Sequence, residues 1–203
     1  MKILHISDTH GFHDQFNDMP AADVLVHSGD FTFAGSWYEA SEFLTWFCAL
    51  PYKHKVLIAG NHDACLYGAC GIQGLPDNVH YLCNTGVVID GVKFYGVPMF
   101  MEDCMNGTYE QLINNIPDDT DVLVTHQPPC GICDEADYGK GLVHHGNETL
   151  ARRVRELQLK CCLFGHEHDA GGTVENINGT VFSNAALLDS AYKLNAKPYL
   201  LTI

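Results

Sequence analysis

The sequence is poor in basic residues. Only 11 of its 203 residues are Lys or Arg, against 25 Asp and Glu, and the formal net charge is −14. A protein that binds a nucleic-acid polymer needs a Lys/Arg surface to displace the counterions of the phosphates. We therefore expect a small substrate and no nucleic-acid polymer as partner. If that substrate carries phosphate, bound cations must offset its charge.

Long apolar runs are also absent. No stretch approaches the roughly 20 apolar residues that span a bilayer, so we expect no membrane partner. The apolar run at residues 3–6 is too short, ahead of the acidic Asp8, to be the core of a secretion signal. The nine cysteines are an odd number at scattered positions, which is typical of reduced thiols. These features favour a cytoplasmic protein.

One pattern recurs along the chain: a short apolar run followed directly by polar residues that can bind metals. The runs are rich in β-branched residues and Leu, and Gly or Ser-Gly after most of them favours strands over helices. They comprise residues 3–6, 24–26, 56–58, 122–124 and 162–164. Ligands of open α/β sheets collect at the carboxyl ends of strands, so we expect the five ends to converge on one crevice.

Helices are predicted in the gaps between these strands. Residues 36–39 read as a capping box that leads into an apolar face, and residues 108–111 read as a second one. Asn147 can cap a third helix over residues 148–157, whose apolar residues recur on one face.

Two turn dipeptides, Asp90-Gly91 and Asn178-Gly179, predict hairpins, because both are flanked by strand-like sequence. They indicate a second, antiparallel-rich sheet. Two sheets packed face to face with helices outside would bury the apolar runs. We therefore expect an α/β fold of four layers, an α/β/β/α sandwich of two mixed sheets flanked by helices. A chain of this length fits a single domain over residues 1–203.

The first two strand ends carry candidate metal ligands. Asp8 and His10 are two residues apart, a spacing that lets both side chains reach one metal from a turn, although a solvated turn is the plainer reading. Asp30 follows Gly29, which permits the backbone to bend, and its two oxygens can bridge two cations. An ordinary strand-end turn is the alternative there.

The third strand end, Gly60-Asn61-His62-Asp63, is more distinctive. Asn61 offers a neutral carbonyl ligand and His62 a proton donor. Asp63 is a candidate to orient and charge that histidine.

Histidines follow the last two strands. His126 alone also fits a structural histidine. His166 and His168 flank one residue and cannot face the same way on an extended turn, so each can serve a different metal; the His-Glu-x-x-His pattern is not present. Imidazoles with carboxylates suit Mn, Fe or Zn rather than Ca. The matched placement of all five segments predicts a dinuclear metal site.

In this order the five segments resemble the calcineurin-like metallophosphoesterase superfamily, over nearly the full chain. The signature is Asp8-x-His10, Gly29-Asp30, Gly60-Asn61-His62-Asp63, His126 and Gly165-His166-x-His168. Residues 7–11, 51–55, 58–62 and 125–129 are similar to the metallophosphoesterase-domain-containing and class III cyclic nucleotide phosphodiesterase-like group. Some relatives in that group have Gly in place of the histidine at His166; because His166 is retained, full metal occupancy is expected.

The resemblance implies two divalent metal ions and seven protein ligands. These fall into three sets: Asp8, His10 and His168 for one ion, Asn61, His126 and His166 for the other, and Asp30 as the bridge. A hydroxide bridging the ions would attack phosphorus. His62 would assist the leaving group, with Asp63 holding its tautomer.

The expected reaction is therefore hydrolysis of a small phosphoester, and a phosphodiester such as a cyclic nucleotide is favoured by the subgroup resemblance. A phosphomonoesterase and a Ser/Thr-type protein phosphatase share the same chemistry. A metal- or nucleotide-binding regulator without turnover is the non-enzymatic alternative. The polar segment 127–146 is a candidate specificity loop, in which His144 and His145 either touch substrate or serve packing.

Overall fold

The computed structural model describes residues 1–16, 19–139 and 141–203. The strands are β1 (Lys2–Ile6), β2 (Val24–His27), β3 (His54–Leu57), β4 (Val79–Tyr81), β5 (Thr85–Ile89), β6 (Val92–Val97), β7 (Val122–Thr125), β8 (Glu135–Ala136), β9 (Val143–His144), β10 (Cys161–Phe164), β11 (Val174–Ile177), β12 (Thr180–Asn184) and β13 (Tyr199–Thr202). The α-helices are α1 (Trp37–Ala49), α2 (Met101–Asn106), α3 (Thr108–Asn114) and α4 (Glu148–Glu156).

Two mixed sheets contain most of the strands. The first sheet has the order β13-β1-β2-β3-β4, in which β1 to β4 are parallel and β13 is antiparallel. The second sheet has the order β11-β12-β10-β7-β6-β5. Its four central strands are parallel, and both predicted hairpins are present at its edges. The expectation of an antiparallel-rich sheet was therefore wrong, because each hairpin adds only one edge strand to a parallel centre.

The side chains of each strand point alternately to the two faces of its sheet, and this alternation explains the four layers. In the first sheet Ile3, Val24 and Val56 face the second sheet, in a cluster that also contains Phe94 and Val122. Successive residues of a strand point to opposite faces, so one face of each sheet is left for helices.

Those outer faces are covered as expected. Leu4 and Leu25 pack with Phe43 and Phe47 of α1. On the other side, Leu123 and Cys162 pack with residues of α3 and α4. The α/β/β/α arrangement is confirmed, and the five apolar runs of the sequence are β1, β2, β3, β7 and β10.

The helix starts follow the predictions in two of three cases. Ser36 and Glu39 form the capping box of α1, and Asn147 caps α4 by accepting a hydrogen bond from the Leu150 amide at 2.8 Å. The second predicted capping box was wrong. Gly107, in a left-handed conformation, is the N-cap of α3 and brings no side chain to the helix end.

No helix among the described residues combines the length and hydropathy of a bilayer span; the longest, α1, has 13 residues.

His5 joins the two sheets through a polar contact in the core. The histidine is fully buried on β1. Its Nε2 lies 2.9 Å from the Ser28 hydroxyl, and its Nδ1 lies 3.1 Å from the hydroxyl of Ser183 on β12. Burial lowers the pKa of His5 to about 3, because the charged imidazolium would lose its hydration there. His5 is therefore neutral in the folded protein.

This burial predicts an acid-dependent loss of stability. Between pH 6 and 4 the unfolded chain binds a proton at His5 and the folded chain does not, so the free energy of unfolding falls as the pH falls. His5→Gln should reduce that slope by about one proton, roughly 1.4 kcal/mol per pH unit. Denaturant titrations of the metal-free protein at several pH values measure it. Ser183→Ala, which keeps the imidazole, should retain the parental slope, and equal slopes for His5→Gln and the parent would contradict the assignment.

Candidate metal centre

The seven candidate ligands meet in one crevice at the carboxyl ends of strands from both sheets. The first sheet contributes four of them and the second sheet three: Asp8, His10, Asp30 and Asn61 follow β1, β2 and β3, and His126, His166 and His168 follow β7 and β10. The expected convergence is present, and it combines two sheets rather than the edge of one.

The first group of ligand atoms contains Asp8, His10 and His168. The Nε2 atoms of the two histidines are 3.3 Å apart. Asp8 Oδ1 lies 3.9 Å from His10 Nε2 and 3.6 Å from His168 Nε2. All three atoms are within 4.8 Å of one another, which is the spacing of ligands around one ion.

The second group contains Asp30, His126 and His166, whose ligand atoms are also within 4.8 Å of one another. His126 Nε2 lies 3.3 Å from Asp30 Oδ2 and 3.1 Å from the side-chain oxygen of Asn61. Asp30 Oδ2 is also 3.8 Å from Nε2 of His10 in the first group. Asp30 therefore lies between the two groups, where both could share its carboxylate.

The hydrogen bonds of the imidazoles leave nitrogen lone pairs that could hold a cation. His10 Nδ1 and His168 Nδ1 face the carbonyl oxygens of Thr32 at 3.2 Å and Leu188 at 2.9 Å, and a carbonyl can only accept. With the ring protons on Nδ1, the two Nε2 lone pairs point at each other across 3.3 Å, and no described residue places a donor between them. His126 repeats the arrangement, since its Nδ1 faces the Ser28 carbonyl at 2.9 Å. The donor set fits divalent transition metals.

The charges of the second group agree with this reading. Burial acts to lower the pKa of His126, but the charge and hydrogen bond of Asp30 outweigh it and raise that pKa to about 10. Burial acts to raise the pKa of Asp30, but His126 keeps it below its usual range. With no cation bound, a proton on His126 Nε2 supplies the positive charge that these groups favour. Burial lowers the pKa of His166 to about 4, so its lone pair is available as a ligand.

Four of the candidate ligands have backbones in the left-handed region, which non-glycine residues rarely adopt. The φ angles are 54° at Asp8, 41° at His10, 57° at Asp30 and 68° at His166. Each such residue costs of the order of 1–3 kcal/mol and persists only where its surroundings hold it. The surroundings are visible at Asp8, whose carboxylate accepts the His166 amide at 3.0 Å.

Glycines lie beside these residues because a Cβ has no room. A Cβ on Gly60 would lie 2.2 Å from Asp30 Oδ1 and 2.7 Å from the Asp30 amide nitrogen. One on Gly165 would lie 1.9 Å from Asp8 Oδ2. The two glycines let the loops approach the ligand carboxylates.

His62 and Asp63 contact different partners from those expected. His62 Nδ1 faces the carbonyl oxygen of Phe33 at 2.7 Å, and the predicted contact of Asp63 with the ring was wrong. The buried Asp63 carboxylate instead accepts the amides of Asp30 at 2.8 Å, Thr32 at 2.9 Å and Gly60 at 2.9 Å. It ties the loop after β2 to the loop after β3, because its two oxygens are occupied by backbone donors.

The crevice opens into a cavity of about 250 Å³, which His62 lines together with residues that sequence reasoning missed. Tyr138 and Tyr192 contribute rings, and Asp137 and Asp169 contribute carboxylates. Asp137 and Tyr138 lie inside the predicted specificity loop, and Asp169 directly follows the candidate ligand His168. Tyr192 lies in a loop without a recognisable motif.

His144 and His145 of that loop, whose role the sequence left undecided, make structural contacts. His144 pairs with the buried Asp134, with 2.6 Å between Nδ1 and Oδ1. The His145 ring packs edge to face against Tyr138 at 4.6 Å. Tyr138 is also tethered by its hydroxyl, which donates to Glu167 Oε2 at 3.0 Å. Neither histidine is among the described residues that line the cavity.

Comparison with known proteins identifies relatives by sequence and by fold. Residues 1–170 match the sequence model of the calcineurin-like phosphoesterases. UPF0046 protein K07C11.7 of Caenorhabditis elegans is 33% identical over 98% of this chain and 73% of its own length. Metallophosphoesterase domain-containing protein 1 of Homo sapiens is 30% identical over 95% of this chain and 68% of its own. The crystal structure of TT1561 of Thermus thermophilus has the same fold, with a TM-score of 0.62, 16% identity and 96% of each chain covered.

The packing at Gly60 predicts that Gly60→Ala loses metal. The added Cβ meets the carboxylate and backbone of Asp30, so that loop must move, at a cost of about 1–3 kcal/mol. Metal content and thermal unfolding measure the two effects. Gly71→Ala is the matched control, because Gly71 has open space around it and no positive φ. Full metal content in Gly60→Ala would show that the ligand cluster tolerates the shift.

Proposed function

The chain belongs to the calcineurin-like phosphoesterase family and is a metal-dependent phosphoesterase, and from this premise we propose that it hydrolyses a small phosphodiester at a centre of two divalent cations. The observation that carries the proposal is the pair of adjoining acceptor groups with Asp30 between them. A single ion would leave one of these groups uncompensated. The nitrogen and oxygen ligands suit Mn, Fe or Zn.

The proposed ligand assignment follows the two groups. Asp8, His10 and His168 hold one cation; Asn61, His126 and His166 hold the other; Asp30 is shared. Such cations, when bound, act as Lewis acids that lower the pKa of water and neutralise phosphoryl oxygens. Carbonyl partners fix the orientation of three of the imidazoles, which keeps each Nε2 directed into the crevice.

His62 is the proposed proton donor to the leaving oxygen. The His62 ring lines the cavity. One of its nitrogens lies within 4.8 Å of a ring nitrogen of His10 and of a carboxylate oxygen of Asp30. The Phe33 carbonyl at Nδ1 stabilises a proton on that nitrogen, which leaves Nε2 to hold the proton that is transferred. Asp63 supports this arrangement through the backbone of the two loops.

The charge and shape of the cavity favour a diester. The described residues that line it include Asp137 and Asp169 and contain neither Lys nor Arg. Repulsion from these carboxylates is weaker for a singly charged diester than for a doubly charged monoester. The rings of Tyr138 and Tyr192 suit a planar substituent, such as the base of a cyclic nucleotide. Phosphomonoesters and phosphoproteins are the competing substrates.

Replacing the proton donor should separate metal binding from turnover. We expect His62→Ala to retain its metals, because the residue is outside the proposed ligand set. Its turnover should fall by about 10²–10⁴-fold, which is the usual contribution of a general acid. Metal analysis and hydrolysis of an unactivated diester measure the two quantities. Parental turnover in His62→Ala would remove the assignment.

Neutralising the cavity carboxylates should change substrate preference. The doubly substituted Asp137→Asn, Asp169→Asn variant keeps oxygen acceptors for the Gly139 amide and the Asp137 amide. We expect kcat/KM for nitrophenyl phosphate to rise several-fold relative to that for bis-nitrophenyl phosphate. The parent, assayed with Mn²⁺, should prefer the diester over both the monoester and a phosphopeptide. A parental preference for either competitor would contradict the diester proposal, and bound nucleotide without hydrolysis would favour a regulator.

A further inference from the structure

We propose that Glu39, at the start of α1, is a positioning residue that sets the ring of His62 through the peptide group between Phe33 and Ala34. The inference rests on the proposed function, since it requires His62 as the proton donor. Glu39 lies outside the cavity lining, so it acts on the reaction only through the loop that it holds.

The carboxylate of Glu39 makes more contacts than a helix start requires. A capping box needs the glutamate to accept the N-cap amide, which Glu39 does with Ser36 at 3.0 Å. Its Oε1 also accepts the amide of Phe33 at 3.1 Å and that of Ala34 at 3.0 Å. One carboxylate therefore fixes the loop of residues 33–36 in addition to capping α1.

One of these contacts, with the Ala34 amide, leads directly to His62. The Ala34 N–H and the Phe33 carbonyl belong to the same planar peptide group. Glu39 accepts the N–H of that group, and the carbonyl faces His62 Nδ1 at 2.7 Å. Glu39 therefore sets the orientation of this peptide plane, and that orientation positions the acceptor of the His62 ring. A carboxylate on the N–H side also polarises the carbonyl, which strengthens its hydrogen bond to the ring.

The rest of His62 is held independently of Glu39. Its amide donates to Asp30 Oδ1 at 2.8 Å, and its carbonyl accepts the Thr32 hydroxyl at 2.8 Å. Loss of Glu39 should therefore leave the backbone of His62 and the metal ligands in place. The imidazole would lose the fixed orientation of its acceptor.

The test measures how hydrolysis depends on the leaving group. In a series of aryl phosphodiesters, proton donation matters most for the most basic leaving phenol. Glu39→Ala should lower kcat on that substrate roughly tenfold and leave kcat on bis-nitrophenyl phosphate nearly unchanged. The dependence of kcat on the basicity of the leaving phenol therefore steepens. Glu39→Gln retains one acceptor oxygen and should lie between the parent and Glu39→Ala. Metal content should equal that of the parent in both.

Ser36→Ala is the matched control for helix capping. It removes the hydroxyl that accepts the Glu39 amide at 3.3 Å and donates to Glu39 Oε2 at 2.7 Å. The contacts of Glu39 Oε1 with the Phe33 and Ala34 amides remain. We expect the Tm of Ser36→Ala to fall by about as much as that of Glu39→Ala. The leaving-group dependence of its kcat should equal that of the parent. In the metal-free protein, NMR should detect a protected Nδ1 proton on His62 in the parent and in Ser36→Ala, and its loss in Glu39→Ala.

The outcomes separate the two proposals. If His62→Ala does not steepen the dependence, the proton donor itself is wrong and the inference falls with it. If His62→Ala steepens it and Glu39→Ala resembles Ser36→Ala, only the role of Glu39 is overturned. Glu39→Ala should add no further steepening to His62→Ala, and an additive effect would show that Glu39 acts by another route.

Discussion

The structure is organised around a crevice in which the described residues gather carboxylates and imidazole nitrogens. Backbone carbonyls occupy the Nδ1 side of His10, His126 and His168, so the Nε2 atoms of His10 and His168 face each other and that of His126 faces the Asp30 carboxylate. Such a cluster is stable only around positive charge. The chain's excess of acidic residues and the acidic cavity lead to the same requirement, because local cations must offset a phosphate.

The fold provides the crevice by ending parallel strands from both sheets at one place. Tight loops then turn the side chains inward, and the strain of these turns appears as left-handed backbones at Asp8 and Asp30. Hydrogen bonds to Asp63 hold two of the loops together, and glycines such as Gly60 allow their close approach. Backbone groups therefore do most of the orienting, while the side chains with chemical roles remain available for metal and substrate.

Most of the architecture was accessible from local sequence. Apolar runs ended by glycine or ligand residues identified five strands, and Asn178-Gly179 identified a hairpin, because strand alternation and turn chemistry act over a few residues. The parallel centre of the second sheet was not accessible. A hairpin signal reveals the pairing of its own two strands. By contrast, β10 pairs with β7, nearly forty residues earlier, and no local feature specifies that pairing.

The same division applies to the site. The sequence determined which residues are able to bind metal, since Asp, Asn and His after strands can be read directly. Only the tertiary structure decided what each one touches. His62 faces the carbonyl of Phe33, 29 residues away, and Asp63 binds backbone amides rather than its neighbour's ring. Tyr192 reaches the cavity from a loop without a motif. Hydrogen-bond partners depend on distances across the fold, and these are set by packing between sheets and helices rather than by neighbouring residues.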